Sequence, residues 1–150
     1  MTLFKLFKRM LQEQFPDGRI EASGNYGDSR LLAHMMINGR LYRLSVETYE
    51  MERWLLLHLY HPFRVPAAKH TEACILFNTI NDRYSYTGRI TVSDDGVVCC
   101  RQIILIEDIV PTMSLLKGML ESAIKLFENN TEEIMRVSSD YSRTGKSLSL

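Results

Sequence analysis

The chain has 150 residues, with 18 cationic and 18 acidic side chains, so its formal net charge at neutral pH is zero. A neutral chain of this length predicts one domain, and it has no overall field that would attract nucleic acid. The sequence contains no run of about 18 apolar residues, so it predicts no membrane span. It has three cysteines, and this odd number favours a reducing cytosol over a framework of disulfide bonds.

The first predicted element is a helix over residues 3–15, with Thr2 as its N-cap and Pro16 as its stop. Its apolar stripe consists of Phe4, Phe7, Leu11 and Phe15. Basic residues lie between these positions, a pattern that also occurs in helices on a membrane surface. Packing on a sheet is the more ordinary use of such a stripe, so peripheral membrane contact through residues 3–15 is disfavoured.

Residues 16–29 are rich in glycine and polar side chains and predict an irregular connection, with room for a short strand at Ile20. A hairpin follows over residues 30–48, because Asn38-Gly39 supplies the positive φ angles of a type I′ turn and so sets the register. One face of this hairpin is apolar and pairs Met35 with Tyr42, Ala33 with Leu44 and Leu31 with Val46. The other face is mixed and pairs Met36 with Leu41, His34 with Arg43 and Leu32 with Ser45.

A third strand over about residues 53–63 alternates in the same way. One side carries Leu55, Leu57, Leu59 and Phe63, and the other carries Trp54, Leu56, His58 and Tyr60. A sheet face that meets water should be polar on that second side, and this one is not. We therefore expect the mixed face to be covered, and we predict a protein-binding face made of six residues: Leu32, Met36, Leu41, Trp54, Leu56 and Tyr60.

The second half of the chain predicts a helix, a hairpin and a last helix. After Pro66 the helix buries Ala73, Leu76, Phe77 and Ile80, and the hairpin turns at Asp94-Asp95-Gly96, with Val92 opposite Val98 and Ile90 opposite Cys100. Asp108 is the predicted N-cap of the last helix, and Pro111 lies in its first turn. Residues 1–130 are thus expected to form a single domain and residues 131–150 a mobile C-terminal tail.

No residue pattern predicts catalysis, a cofactor or a metal site. His58 and His61 lie three apart on a strand and should point to opposite faces, and Cys99 and Cys100 should be one core and one surface cysteine. Cys74, on the second helix, is expected to serve packing. An enzyme or small-molecule binder remains an alternative, with a pocket between the second helix and the sheet that would use His58, His61 and His70.

The order of elements, the segment VPAAKHTEACILFNTIN at residues 65–81, the hairpin around Asp94-Asp95-Gly96 and the last helix together resemble the YbjN family. Over residues 1–128 the resemblance implies an α+β fold like that of type III secretion chaperones, with the order α-β-β-β-α-β-β-α and an antiparallel sheet of about five strands. It implies a small bacterial protein, a putative sensory transduction regulator, that is often dimeric and works through protein contacts. It assigns no catalytic residue.

We therefore expect a non-enzymatic regulator or adaptor in the bacterial cytoplasm that binds a protein partner or itself, as a homodimer, through the mixed face. A type III secretion-type chaperone that holds an extended client segment is an alternative of the same fold.

Overall fold

A computed structural model describes residues 2–25, 28–83 and 87–138 of the chain. The elements in chain order are α1 (Leu3–Gln14), β1 (Arg19–Asn25), β2 (Asp28–Ile37), β3 (Arg40–Tyr49), β4 (Trp54–Arg64), a 3₁₀ turn (Ala67–Lys69), α2 (His70–Arg83), β5 (Arg89–Val92), β6 (Val97–Leu105) and α3 (Met113–Asn129). The strands form one antiparallel sheet in the order β1-β2-β3-β4-β6-β5. The predicted α+β class with an antiparallel sheet is confirmed.

The sheet has six strands because β1 forms where an irregular connection was predicted. Seven residues of β1 pair with β2, from Arg19 opposite His34 to Asn25 opposite Asp28. The sequence of β1 has little apolar alternation, but backbone pairing supplies partners for the N–H and C=O groups along the edge of β2. The prediction for residues 16–29 was therefore wrong over most of its length, and five strands is one too few.

The predicted registers of both hairpins are confirmed. Ala33 lies opposite Leu44 across the first hairpin, and Ile90 lies opposite Cys100 across the second. Asn38 and Gly39 have φ angles of 50° and 76°, as a type I′ turn requires. Gly96 has φ +84°, and a Cβ there would lie 2.1 Å from the Val65 carbonyl oxygen, so this turn admits only glycine.

The hydrophobic core lies between one face of the sheet, which we call the inner face, and the helices. Alternate residues of β2, β3 and β4 are almost fully buried there: Leu31, Ala33, Met35, Tyr42, Leu44, Val46, Leu55, Leu57 and Leu59. Helix α1 adds Leu3, Phe7, Met10 and Leu11, and α3 adds Leu116, Met119, Leu120, Ala123, Leu126 and Phe127. The stripe of α1 thus packs in the core, with Phe4 and Phe15 at its margin.

Helix α2 packs beside the edge strand β5 through Ala73, Phe77 and Ile80. The Asn81 side chain completes this edge, because its amide donates to the Ile90 carbonyl (3.0 Å) and accepts from the Ile90 N–H (2.9 Å). One side chain thereby satisfies both backbone groups, as a further strand would. Asn78, one turn earlier, is exposed.

The last helix begins later than predicted. Its N-cap is Thr112, whose hydroxyl accepts from the Leu115 N–H at 3.1 Å, and not Asp108. Pro111 disfavours helical backbone at the residue before it, so the helix starts only after the proline.

The chain remains structured beyond the predicted domain boundary at residue 130. Residues 131–138 are helical, and Ile134 and Val137 are buried in the core at 0% and 1% exposure. The predicted mobile tail therefore does not hold for residues 131–138, since two apolar side chains one turn apart give this segment a face to bury. Residues 139–150 lie outside the described part of the chain. No described helix is long and apolar enough to cross a membrane.

Candidate functional site

The outer face, the side of the sheet turned away from the helices, carries all six residues of the predicted binding face. The pairings place them in one surface across β2, β3 and β4: Leu32, Met36, Leu41, Trp54, Leu56 and Tyr60. Met36 and Leu41 are 64% and 50% exposed, and the other four are partly exposed. The expectation that something covers this face stays a prediction, since within residues 2–138 the described helices bury the inner face.

Strand β6 extends the outer face with two residues that the sequence reasoning missed. Ile103 lies opposite Leu56 and Leu105 lies opposite Trp54, and they are 54% and 60% exposed. Their alternation with buried Gln102 was visible in the sequence. Nothing in the sequence showed that β6 pairs with β4, so their position beside Trp54 was not predictable.

Aromatic rings on the outer face are held by neighbouring side chains. Trp54 packs at a tilt on Tyr49, with ring centroids 5.2 Å apart. Tyr60 stacks beside His58 with centroids 6.2 Å apart, and the Arg43 guanidinium lies 5.1 Å from the centre of the Tyr60 ring. Rings fixed in this way lose little rotamer freedom when a partner binds.

An ion pair crosses the centre of the outer face. The Arg30 guanidinium donates to a Glu47 carboxylate oxygen at 2.8 Å, and the Tyr49 hydroxyl donates to the other oxygen at 2.7 Å. These hydrogen bonds lower the pKa of Glu47, and the carboxylate raises the pKa of Arg30. Glu47 therefore stays ionised and leaves Arg30 neutralised.

His58 lies opposite Ser45, in the next row of the face. The Arg101 Nε–H donates to His58 Nε2 at 3.2 Å, so that nitrogen acts as an acceptor. Burial and the adjacent Arg101 charge both lower the pKa of His58. Arg101 thus has an imidazole nitrogen, and no carboxylate of the described residues, as its hydrogen-bond acceptor.

An open groove lies at the end of the outer face near the first hairpin. Its volume is about 450 Å³, and its lining includes Leu41, Arg43, Tyr60 and Arg64. It joins exposed apolar surface at Leu41 to two guanidinium groups, which is the chemistry of a binding groove for a segment with both apolar and anionic groups.

The structure does not bring together the three histidines of the alternative pocket. His58 lies on the outer face. His61 lies on the inner face between Tyr42 and Phe127, with ring centroids 5.7 and 5.0 Å away. His70 begins α2, and its Nε2 lies 3.0 Å from the Ser93 carbonyl oxygen.

The burial of the cysteines differs from the prediction. Cys99 and Cys100 are both buried, at 6% and 0% exposure, and burial raises the pKa of each thiol to about 12. Cys99 belongs to the outer face but is small and lies between Tyr60 and Thr91, so its taller neighbours shield it. Cys74 is exposed and does not serve core packing. Among the described residues, no three metal-ligand side chains gather into a site.

Comparison with known proteins adds no assignment. No protein-family model matches this chain, and no curated protein matches it.

Proposed function

We propose that this protein is a non-enzymatic regulator or adaptor that binds another protein through the outer face. The observation that carries the proposal is the set of apolar and aromatic side chains along the outer face of β2, β3, β4 and β6, in which four large apolar side chains are at least half exposed. These side chains are Met36, Leu41, Ile103 and Leu105.

The outer face has the composition of an interface. Trp54 and Tyr60 belong to the residue types that contribute most to binding energy when a partner buries them. They stand on a sheet whose other face is fully packed, so the surface is already in place before a partner arrives. Patches of this kind on small domains commonly mark contact sites.

The resemblance to the YbjN family supports the regulatory form of this proposal and a bacterial cytoplasmic setting. Binding of a second copy is one form of the same proposal, and light scattering measures it directly. A chaperone role is the other form, and a partly unfolded client that co-purifies with the protein would identify it.

The test compares the proteins that four baits retain from the native cell: the wild type and three variants. Trp54→Ala and the pair Ile103→Ser/Leu105→Ser remove apolar groups from the outer face, and Ile75→Ser is the matched control, since Ile75 is 66% exposed on α2. We expect the two outer-face baits to lose, by at least tenfold, a partner that the wild-type and Ile75→Ser baits retain.

The folding of each bait is checked by circular dichroism. The proposal is contradicted if the protein is a strict monomer and both outer-face variants retain the same proteins as the wild type.

A further inference from the structure

The outer face carries an excess of positive charge, although the whole chain is neutral. Among outer-face residues whose side chains the structure describes, there are six arginines and two glutamates. The arginines are Arg19, Arg30, Arg43, Arg64, Arg89 and Arg101, and the glutamates are Glu21 and Glu47. The other residues with described side chains show the reverse balance, with 10 cationic and 14 acidic side chains, so positive charge is concentrated on the outer face.

Two of these arginines are already neutralised within the face. Arg30 pairs with Glu47 at 2.8 Å, and Arg19 pairs with Glu21 at 3.2 Å. Arg43, Arg64 and Arg101 are exposed and form no salt bridge with a carboxylate of the described residues, although Asp95 is near enough to Arg64 to interact with it electrostatically. We call these three residues the arginine belt. Arginine forms strong, directional pairs with carboxylates, so the belt is a set of positions for incoming anions.

Arg43 and Arg101 lie between two apolar ends of the outer face, and Arg64 lies beside Leu41 at one of these ends. At one end are Trp54, Leu56, Ile103 and Leu105, and at the other are Met36 and Leu41. Tyr49, at the opposite end, is eight positions along β3 from Leu41, which corresponds to about 27 Å at the usual rise of a strand. A ligand that fills this surface therefore needs apolar groups at both ends and negative charge between them.

We propose that the outer face binds an acidic segment of a protein partner, with its carboxylates on the arginine belt and its apolar side chains over the two ends. This inference rests on the proposed function and names the chemistry of the partner. The segment spans about eight residues if it is extended along the strands.

The charges disfavour a second copy of this chain as the occupant. Two outer faces brought together would place two arginine belts against each other, with only the already paired glutamates to offset them. Like charges opposed across an interface repel one another and oppose association. An acidic partner gains from the same charges.

The ring contacts and aliphatic ends disfavour a nucleic acid. Single strands bind sheets by stacking bases on open aromatic faces. Here the Tyr60 ring is contacted by Arg43 and His58, and Trp54 packs against Tyr49. The exposed aliphatic side chains at both ends match apolar amino acids better than bases or phosphates.

Synthetic peptides test the proposal with the full chain. The probe is a fluorescein-labelled peptide of about fifteen residues with Leu and Phe near both ends and five glutamates between them. Its matched versions replace the glutamates by glutamine or by lysine, and a 15-nucleotide thymidine oligomer tests nucleic acid. Trp54 is the only tryptophan, so its emission reports occupation of the outer face, and fluorescence anisotropy gives the affinity.

We expect the glutamate peptide to bind at least tenfold more tightly than the glutamine peptide, and the lysine peptide not to bind. The double variant Arg43→Glu/Arg101→Glu should bind the glutamate peptide at least tenfold more weakly than the wild type does. Arg9→Glu/Lys125→Glu, which reverses two exposed charges on α1 and α3, should change this affinity less than twofold. Raising the salt concentration from 50 to 300 mM should weaken binding several-fold.

Other outcomes overturn the inference. If the glutamate and glutamine peptides bind equally well, and Trp54→Ala abolishes the binding of both, the proposed function stands. The inference that the partner is acidic is then rejected. Tighter binding of the thymidine oligomer would assign the face to nucleic acid. A dimer that dissociates in Trp54→Ala would assign it to a second copy. If no peptide binds, the acidic partner is rejected, and the bait comparison alone then judges the proposed function.

Discussion

The two faces of the sheet are formed by the same strands but differ in what surrounds them. Leu55 and Leu57 point inward and are fully buried, while Leu56 between them points outward and is partly exposed. On the inner face the helices bury nine apolar side chains of β2, β3 and β4, and only Ile37 and Phe63, near the strand ends, stay partly exposed. On the outer face, apolar side chains, aromatic rings and arginines remain at the surface. Burial on one face supplies the stability that leaves the other face available for binding.

The largest expected contrast comes from adjacent leucines on β4. Leu57→Ala should lower the free energy of unfolding by about 3 to 4 kcal/mol, because it opens a cavity in the core. Leu56→Ala should lower it by less than about 1 kcal/mol, because water already reaches that side chain. Urea unfolding monitored by circular dichroism measures both. Equal losses would mean that another part of the chain covers the outer face.

The next effect concerns His61 on the inner face. Burial lowers the pKa of His61 to about 4 from 6.5, so between these values the unfolded chain binds a proton that the folded chain does not. The free energy of unfolding therefore falls by about 2 to 3 kcal/mol as the pH falls from 6.5 toward 4. Above pH 6.5 His61 causes no such loss of stability.

His61→Phe keeps an aromatic ring against Tyr42 and Phe127 and should flatten the dependence of unfolding free energy on pH in this window. His70→Gln, on α2, should leave the pH dependence near that of the wild type. An unchanged slope in His61→Phe would show that His61 does not control it.

A smaller difference in stability is expected between substitutions of Cys99, which is buried on the outer face, and Cys74, which is exposed on α2. Cys99→Ser should lower the free energy of unfolding by about 1 to 2 kcal/mol, since it places a hydroxyl in a buried site. Cys74→Ser should have no measurable effect. Thiol labelling should give one rapidly reacting group in the native protein and three after unfolding. Rapid labelling of Cys99 in the native protein would show that the outer face opens locally.

The smallest expected effect is the coupling between Arg30 and Glu47 on the outer face. The Arg30 side chain is 52% exposed, so solvent weakens the pair despite its 2.8 Å distance. A double-mutant cycle with Arg30→Ala and Glu47→Ala should give a coupling below about 1 kcal/mol. A coupling of several kcal/mol would indicate that this part of the outer face is shielded from water.

Much of the fold followed from short-range patterns. Asn38-Gly39 determined the register of the first hairpin, and with it the division of β2 and β3 into an apolar and a mixed face. Helical spacing identified Phe7 and Leu11 as residues that pack. Two predictions that were wrong concern local features with weak patterns, namely β1 as a strand beside β2 and Thr112 as the cap of α3. The third, the docking of residues 131–138, depends on the packing of the core.

The candidate site divides in the same way. Six of its residues were predicted from alternation along β2, β3 and β4, and their role in binding stays a prediction. Ile103, Leu105 and Arg101 were not predicted, because they belong to the site only through the pairing of β4 with β6. Alternation had already placed Arg43 on the mixed face, and Arg64 lies one residue beyond the predicted third strand.

By itself, the sequence determined the hairpin registers, the apolar stripes and the unusual composition of one sheet face, since each depends on residues within a few positions of one another. The tertiary structure alone decided that β6 lies between β4 and β5, which places Arg101 beside His58 and Leu105 beside Trp54. Such long-range pairings depend on closing a long loop and on packing the whole core, and no short window of sequence records either.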